Sequence, residues 1–294
     1  MEVTFLASES LGTRSMSTMI KAGRVTIIID PGVALAPRRY GLPPHPLELK
    51  RLSEHWDRIK SAATSADILV VTHYHYDHHN PQEPDIYKEK TVLVKHPTNK
   101  INASQRRRAA FFLAQVRPVA GSLEYSDGKE FSIDDVTVRF SQPVFHGTSE
   151  KLGYVTEVSV SHGNRTLVFT SDVEGPSLEE QAAFVLEEEP NIVICDGPVT
   201  YMLGYRYAYE SLEQSIAYVS RIFRETNVKE FIFEHHLLRD LDWKEKLKPL
   251  LLEAEECGVK VETAAEFMGL ENEFLEANRK RLWEELGNKQ TFRD

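Results

Sequence analysis

Apolar positions fall along the chain in short runs of two kinds. "RVTIIID" (24–30), "DILVVTH" (67–73), "TLVFTSD" (166–172) and "NIVICDG" (191–197) are continuous and rich in β-branched residues. Strands buried on both faces read this way. "VTVRFSQPVF" (136–145) and "VTEVSVSHG" (155–163) instead mix apolar and polar positions, as antiparallel strands with one wet face do. Gly163-Asn164, inside "SVSHGNRTLVF", marks a hairpin turn between two such strands. With "EVTFLA", "TVLVKH" and "EFIFEHH" added, the strands form an early and a late block. Helical periodicity lies between and after them, over 46–64, 99–115, 177–187, 210–226, 242–256 and 271–286.

Two blocks of strands with helices available to cover them predict an α/β fold: two sheets packed face to face in a four-layer α/β/β/α sandwich. The stretch "DPGVALAPRRYGLPPHP" (30–46) is too apolar and aromatic for a flexible linker and is expected to be an ordered loop near the site. No boundary divides the chain, so residues 1–294 are expected to form a single domain.

Composition narrows the function classes. The apolar share of 41% and charged share of 27% are those of a water-soluble domain. No apolar run approaches the roughly 18–20 residues that span a bilayer. The start, "MEVTFLASES", has an acid at position 2 and no basic segment, so a cytoplasmic location is expected. Two cysteines, Cys195 and Cys257, without a CxxC pattern fit a reducing compartment, and Cys195 is expected to pack within its apolar strand. A net charge of −10 disfavours extended polyanions as partners, so nucleic acid is not expected. A small anionic molecule remains compatible with local arginines at 38–39, 106–108 and 206, no membrane partner is expected, and a homo-oligomer is compatible with the composition. Neither a Gly-x-Ser-x-Gly elbow nor a Gly-rich phosphate loop is present.

The candidate chemistry is concentrated in "VVTHYHYDHHNP" (70–81), directly behind a buried strand. His73 and His75, two residues apart, reach the same side of an extended chain, and Asp77 and His78 follow where the chain leaves it. Neutral imidazoles and carboxylates in this pattern are metal donors. His45, His55, His79, His96 and His162 are expected to be surface or packing residues.

"THYHYDH" resembles the metal-binding signature of the metallo-β-lactamase superfamily, and that superfamily's remaining motifs occur here in order over residues 30–236. They are Asp30 in "IIIDPG", His146 in "PVFHGTS", Asp172 in "VFTSDVEG", and His235 or His236 in "FIFEHHLLRD". "DPGVALAPRRYGLPPHP" and "EHHLLRD" further resemble a largely archaeal branch of the superfamily. The resemblance implies two divalent ions. His73, His75 and His146 would hold one, Asp77, His78 and His235 the other, and Asp172 would bridge them. Zinc is the expected metal, with iron or manganese suited to the same donors. A hydroxide shared by the ions would attack an ester-like bond (a phosphodiester, lactone or thioester), with Asp77 helping to orient it. Asp30 is expected to orient the metal-binding loop without ligating, and His236 to act beside the ligands or replace His235. Strand alternation, which sets 231, 233 and 235 on one side, favours His235. Arg206, in the tyrosine-rich "GPVTYMLGYRYAYE", is the candidate substrate-binding residue. The alternatives are a nuclease acting on RNA or DNA, a di-iron redox enzyme, and a metal-stabilised binding protein without turnover.

Overall fold

The computed structural model describes residues 1–291. Its first sheet runs β1 (Glu2–Phe5), β2 (Thr18–Ala22), β3 (Val25–Ile29), β4 (Ile68–Val71), β5 (Thr91–Val94) and β6 (Ser122–Tyr125), in that spatial order. The first three strands are antiparallel neighbours, and β3 to β6 are parallel. Parallel pairs need crossovers. Here α1 (Pro46–Ala63) joins β3 to β4 and α2 (Ala103–Val116) joins β5 to β6. His45 caps the start of α1 through its ring, and Asn102 caps α2 by accepting from Gln105 N at 2.8 Å.

The second half supplies β7 (Glu130–Ile133), β8 (Val136–Phe140), β9 (Val144–Phe145), β10 (Tyr154–Val155), β11 (Val158–His162), β12 (Arg165–Phe169), β13 (Ile192–Asp196), β14 (Glu230–Glu234) and β15 (Lys260–Glu262). Its main sheet has the order β15-β14-β13-β12-β11-β8-β7, with β9 and β10 forming a separate short ribbon. Strands β12 to β15 are parallel and are connected by α3 (Glu179–Glu188), α4 (Tyr209–Glu225), α5 (Trp243–Lys246) and α6 (Lys248–Cys257). The turn Gly163-Asn164 joins β11 to β12 as expected, pairing His162 with Arg165. Two further helices follow, α7 (Ala264–Phe267) and α8 (Arg279–Thr291).

Side-chain alternation then builds the layers. Ile27 and Ile29 of β3 enter a core shared by both sheets with Val70, Val138, Val160, Phe169, Ile194 and Ile232. Ile28, Leu69, Val71 and Val92 face the other way and pack under Ile59 of α1 and Phe112 of α2. Val168, Val193, Phe231 and Phe233 do the same on the second sheet, under Val219 and Phe223 of α4 and Leu250 of α6. The order is helices, sheet, sheet, helices, as the two blocks of strands predicted. Among the described residues, no helix is long and apolar enough to cross a membrane.

The expected elements need three corrections. The apolar pattern does not predict strands β2, β6, β7 and β15; β6 and β7 are four residues long, so each offers only two apolar positions, Leu123 and Tyr125 in one and Phe131 and Ile133 in the other. The helix expected over 242–256 breaks at Leu247, because Pro249, in the first turn of the second segment, has no N–H to offer the carbonyl of Glu245 and its ring crowds that carbonyl. The helix expected over 271–286 begins only at Arg279. Residues 271–278 are held instead by ion pairs, Glu273 with Arg51 and Glu276 with Arg14.

Candidate metal centre

The site forms where chain segments leave the ends of β3, β4, β9, β12 and β14 on one edge of the paired sheets. After β4, Thr72 to His78 carry four donors within six residues. His146 follows β9 and is tied down by its N–H to Gly153 O at 3.0 Å. Asp30, Ser171 and His235 each stand at a strand end in the left-handed region, with φ of 51°, 56° and 59°. That backbone is uncommon for residues with a Cβ and turns the chain sharply towards the site. Gly32 completes the first turn: a Cβ there would lie 2.2 Å from His79 N and 2.4 Å from His78 C, so only glycine lets the 30–34 loop rest against the histidine loop.

Among the described residues, four groups of donors have ligand atoms within 4.8 Å of one another: Asp30, His73 and His78; Asp172, His235 and His236; and the two that separate, His73, His75, His146 and Asp172 on one side and Asp77, His78 and His235 on the other. Asp172 lies between them. Its Oδ2 is 3.5 Å from His73 Nε2 and 3.2 Å from His146 Nε2, and its Oδ1 is 3.1 Å from His78 Nε2. His235 Nε2 is 3.5 Å from Asp77 Oδ2 and 3.6 Å from Asp172 Oδ2. The Nε2 atoms of His73 and His78 and Oδ1 of Asp172 are buried without a hydrogen-bond partner. Leaving a buried polar atom unpaired costs about 1–3 kcal/mol, so three converging orphans form an arrangement that a cation would stabilise. The residues therefore fit a metal, and nitrogen with carboxylate oxygen is the donor chemistry of zinc, iron or manganese.

The surrounding groups orient these donors. Asp30 is fully buried; Oδ1 accepts from Thr72 N at 2.8 Å, and Oδ2 from Thr72 Oγ1 at 2.6 Å and His78 Nδ1 at 2.8 Å. That leaves Nε2 of His78 for the cluster. Thr72 Oγ1 and Ser171 Oγ each lie 3.3 Å from His73 Nδ1. Glu234, fully buried, accepts from the backbone N–H of Glu9, Ser10, His235 and Ala264 and from the Ser10 hydroxyl. It thereby fixes the turn that presents His235.

Electrostatics follow from burial and charge. Burial, with His78 next, pushes His73 well below its usual value, and burial chiefly pushes His75 down to about 3, so both imidazoles stay neutral, as ligands must be. For His235 burial acts downward, yet Asp172 and Asp77 outweigh it and lift the ring to about 9. Burial likewise opposes ionisation of Asp172, but the histidines around it hold its carboxyl well below the usual range.

His235 and His236 take different places. His236 Nδ1 lies 3.0 Å from Oδ2 of buried Asp196, and its Nε2 is 4.0 Å from Glu174 Oε1. Strand alternation, however, does not set His235 on the side of Phe231 and Phe233. Phe231 and Phe233 face the helices, strand β14 ends at Glu234, and the left-handed backbone of His235 turns its ring to the cluster.

A cleft of about 520 Å³ opens over the cluster, lined by His75, Asp77, His146, Asp172 and His236, by Ala34, Leu35 and Pro37 of the proline-rich loop, and by Arg14, Arg108 and Arg239. Arg206 is exposed on a turn before α4 and is not among the lining residues, so the expected role in substrate binding is not supported by its position. Arg38 is exposed, and Arg39 lies over the rings of Tyr40 and Tyr201. Arg239 went unnoticed in the sequence. Its Nε pairs with Glu9 at 3.1 Å, and its Nη2 sits 3.4 and 3.2 Å from the two ring nitrogens of His235. Those contacts set its guanidinium against the His235 ring. His55, His79 and Cys195 are buried, His79 against Tyr74 and Phe112, as packing residues were expected to be.

Paired sheets, outer helices and a His/Asp cluster at the strand ends define the metallo-β-lactamase fold, and solved structures agree. The chain is similar to the isothiocyanate hydrolase from Delia radicum gut bacteria, with a TM-score of 0.57 and 14% identity over 89% of this chain and 95% of that one. It is also similar to Tm1679, a metal-dependent hydrolase of the β-lactamase superfamily, with a TM-score of 0.51 and 13% identity over 89% and 96%. CmlA, a diiron β-hydroxylase from Streptomyces venezuelae, gives 0.52 and 13% over 89% of this chain and 52% of that one. At such identities the likeness is one of fold. No protein-family model matches the chain. Its sequence relatives are closer: it is 51% identical over 285 residues to the UPF0282 protein of Korarchaeum cryptofilum, covering 97% of this chain and 95% of the relative. The UPF0282 protein of Sulfurisphaera tokodaii is 44% identical over 287 residues, covering 96% and 93%. The chain belongs to the UPF0282 family, and both relatives are archaeal, in line with the branch its motifs resemble.

Proposed function

We propose that this protein is a metal-dependent hydrolase that cleaves an ester-like bond (phosphodiester, lactone or thioester) of a small anionic substrate. The observation that carries the reading is the convergence of His73, His75, His146, Asp172, Asp77, His78 and His235, with unpaired buried atoms among them, at the floor of an open cleft. In this reading His73, His75 and His146 would hold one ion, Asp77, His78 and His235 would hold a second, and Asp172 would serve both. Two divalent ions, zinc foremost, would supply a nucleophile from water at neutral pH and stabilise charge developing on a carbonyl or phosphoryl oxygen.

The chain's own residues set the geometry. Asp30 fixes the His78 ring, Thr72 and Ser171 frame His73, and Glu234 secures the His235 turn. Asp77 keeps 18% of its side-chain surface exposed and lines the cleft, where its carboxylate can orient an attacking water. Ala34, Leu35 and Pro37 of the proline-rich loop supply an apolar wall of the cleft.

The test is elemental analysis of protein purified without chelators, joined to a panel of phosphodiester, lactone and thioester substrates. About two transition-metal ions per chain are expected, with hydrolysis that disappears when His73 and His75 are both replaced by alanine. One ion or none, with no second ion taken up on titration, would refute the binuclear site. Metal-dependent cleavage of long RNA or DNA would favour a nuclease, and oxygen consumption by an iron form would favour the redox reading.

A further inference from the structure

Three consecutive arginines begin the exposed side of α2, and they do not share one environment. A helix turns about 100° per residue, so neighbours in sequence point to different sides. Arg106 and Arg107 are exposed, whereas Arg108 is half-buried and lines the metal cleft with His75, Tyr76 and Asp77. Its guanidinium carbon lies 4.9 Å over the centre of the Tyr76 ring. Tyr76 is itself fixed at the site, because its chain neighbours His75 and Asp77 both belong to the donor cluster.

The other cleft arginines are already engaged. Arg14 makes two 2.6 Å bonds to Glu276, and Arg239 is bonded to Glu9. Among the described residues, Arg108 has no carboxylate at ion-pair distance. Stacking on an aromatic face fixes the plane of a guanidinium and shields its apolar surface, while its edge N–H groups stay available. Such an edge matches two oxygens of a carboxylate or phosphate.

We propose that Arg108, stacked on Tyr76, is an oxyanion-binding subsite that holds a carboxylate or phosphate of the substrate apart from the bond being cleaved. The reading of the bound molecule as a substrate rests on the hydrolase assignment above; the anion site itself does not. It selects small molecules with an anionic tail, since one unpaired guanidinium in a cleft of this size holds a single charged group.

The experiment is calorimetric titration of the metal-loaded protein with glutarate and, separately, with phenyl phosphate. The variants are Arg108→Gln, Arg108→Lys and the controls Arg106→Gln, Arg107→Gln and Arg206→Gln. The wild type should bind at least one probe, and the tighter one identifies the oxyanion. Arg108→Gln should weaken that binding by about tenfold or more, as loss of a charge-assisted pair does. The three controls should stay within about twofold, because exposed charges act weakly through solvent. Metal content should be the same in all variants. Should Arg108→Gln fail to fold or load metal, Arg108→Lys decides: it keeps the charge but loses the fork, and should still bind the probe more weakly than wild type. Absence of probe binding by the wild type, equal losses across the arginines, or wild-type affinity in Arg108→Gln (or in Arg108→Lys where that variant decides) overturns the subsite. A wild type that binds the probe yet hydrolyses no ester overturns the hydrolase reading and leaves the subsite standing.

Discussion

Replacing Asp30 by asparagine changes one atom of a carboxylate that touches no cleft, yet the second ion should feel it. Asp30 accepts three hydrogen bonds in a fully buried setting, two from Thr72 and one from His78 Nδ1. In Asp30→Asn the amide oxygen can still accept from Thr72 N. The amide nitrogen then faces Thr72 Oγ1, which can rotate to accept, and His78 Nδ1–H, which cannot. Two outcomes are open to His78. Its Nδ1–H stays orphaned at a cost of about 1–3 kcal/mol. Alternatively the proton moves to Nε2, so that Nδ1 accepts and the nitrogen facing Asp172 loses its lone pair. Either route weakens the site that His78 shares with Asp77 and His235. Partners of ligating histidines typically matter by about 10–100-fold in metal affinity, or roughly 1.4–2.8 kcal/mol, which matches the cost of the single orphan. The assay is zinc titration of metal-depleted protein against a chromophoric chelator. The first ion should weaken less than the second, because Asp30 bears on its donors only through Thr72 Oγ1, which lies 3.3 Å from His73 Nδ1. The second should weaken by about 10–100-fold. Unchanged affinity for the second ion, or equal weakening of both, would refute the orienting role of Asp30.

Two further outcomes follow from the same geometry. His235→Ala should lose the second ion and His236→Ala should keep it, because only the former's Nε2 faces both Asp77 and Asp172; reversed metal contents by elemental analysis would contradict this. His55 is held down to about 4, by burial first and by Arg58 and Arg51 after it, with its Nδ1 2.7 Å from Thr13 Oγ1. The folded state therefore keeps this ring neutral where the unfolded chain, titrating near 6.5, takes up a proton. Stability should be flat above about pH 6.5, fall by roughly 3 kcal/mol as pH drops to about 4, and level off below. Denaturant midpoints of metal-free wild type and His55→Gln across that range are the check, and parallel curves would rule His55 out.

How much of this was legible in the sequence depends on the distance over which each feature is determined. Runs such as "TIIID" and "DILVVTH" announce buried strands because alternation and β-branching act within a few residues, and the histidine cluster is visible because its donors are nearly contiguous. Strands β6 and β7 stay hidden because each is four residues long and offers only two apolar positions, too few to establish an alternation. Strand alternation alone does not choose between the adjacent histidines: a single left-handed residue, beside a Glu234 carboxylate anchored on the distant Ser10 and Ala264, decides where His235 points. Arg206 looked suited to substrate for its aromatic company, while Arg108 looked like one charge of an exposed run. What separates them is which guanidinium reaches a wall made by Tyr76 and Asp77, a relation between α2 and a loop some thirty residues earlier. Metal donors must lie close together in space and here lie partly close in sequence. The residues that orient them need only reach across the fold, as Asp30 reaches His78 and Ser171 reaches His73, so pattern alone locates the metal centre far better than its supports.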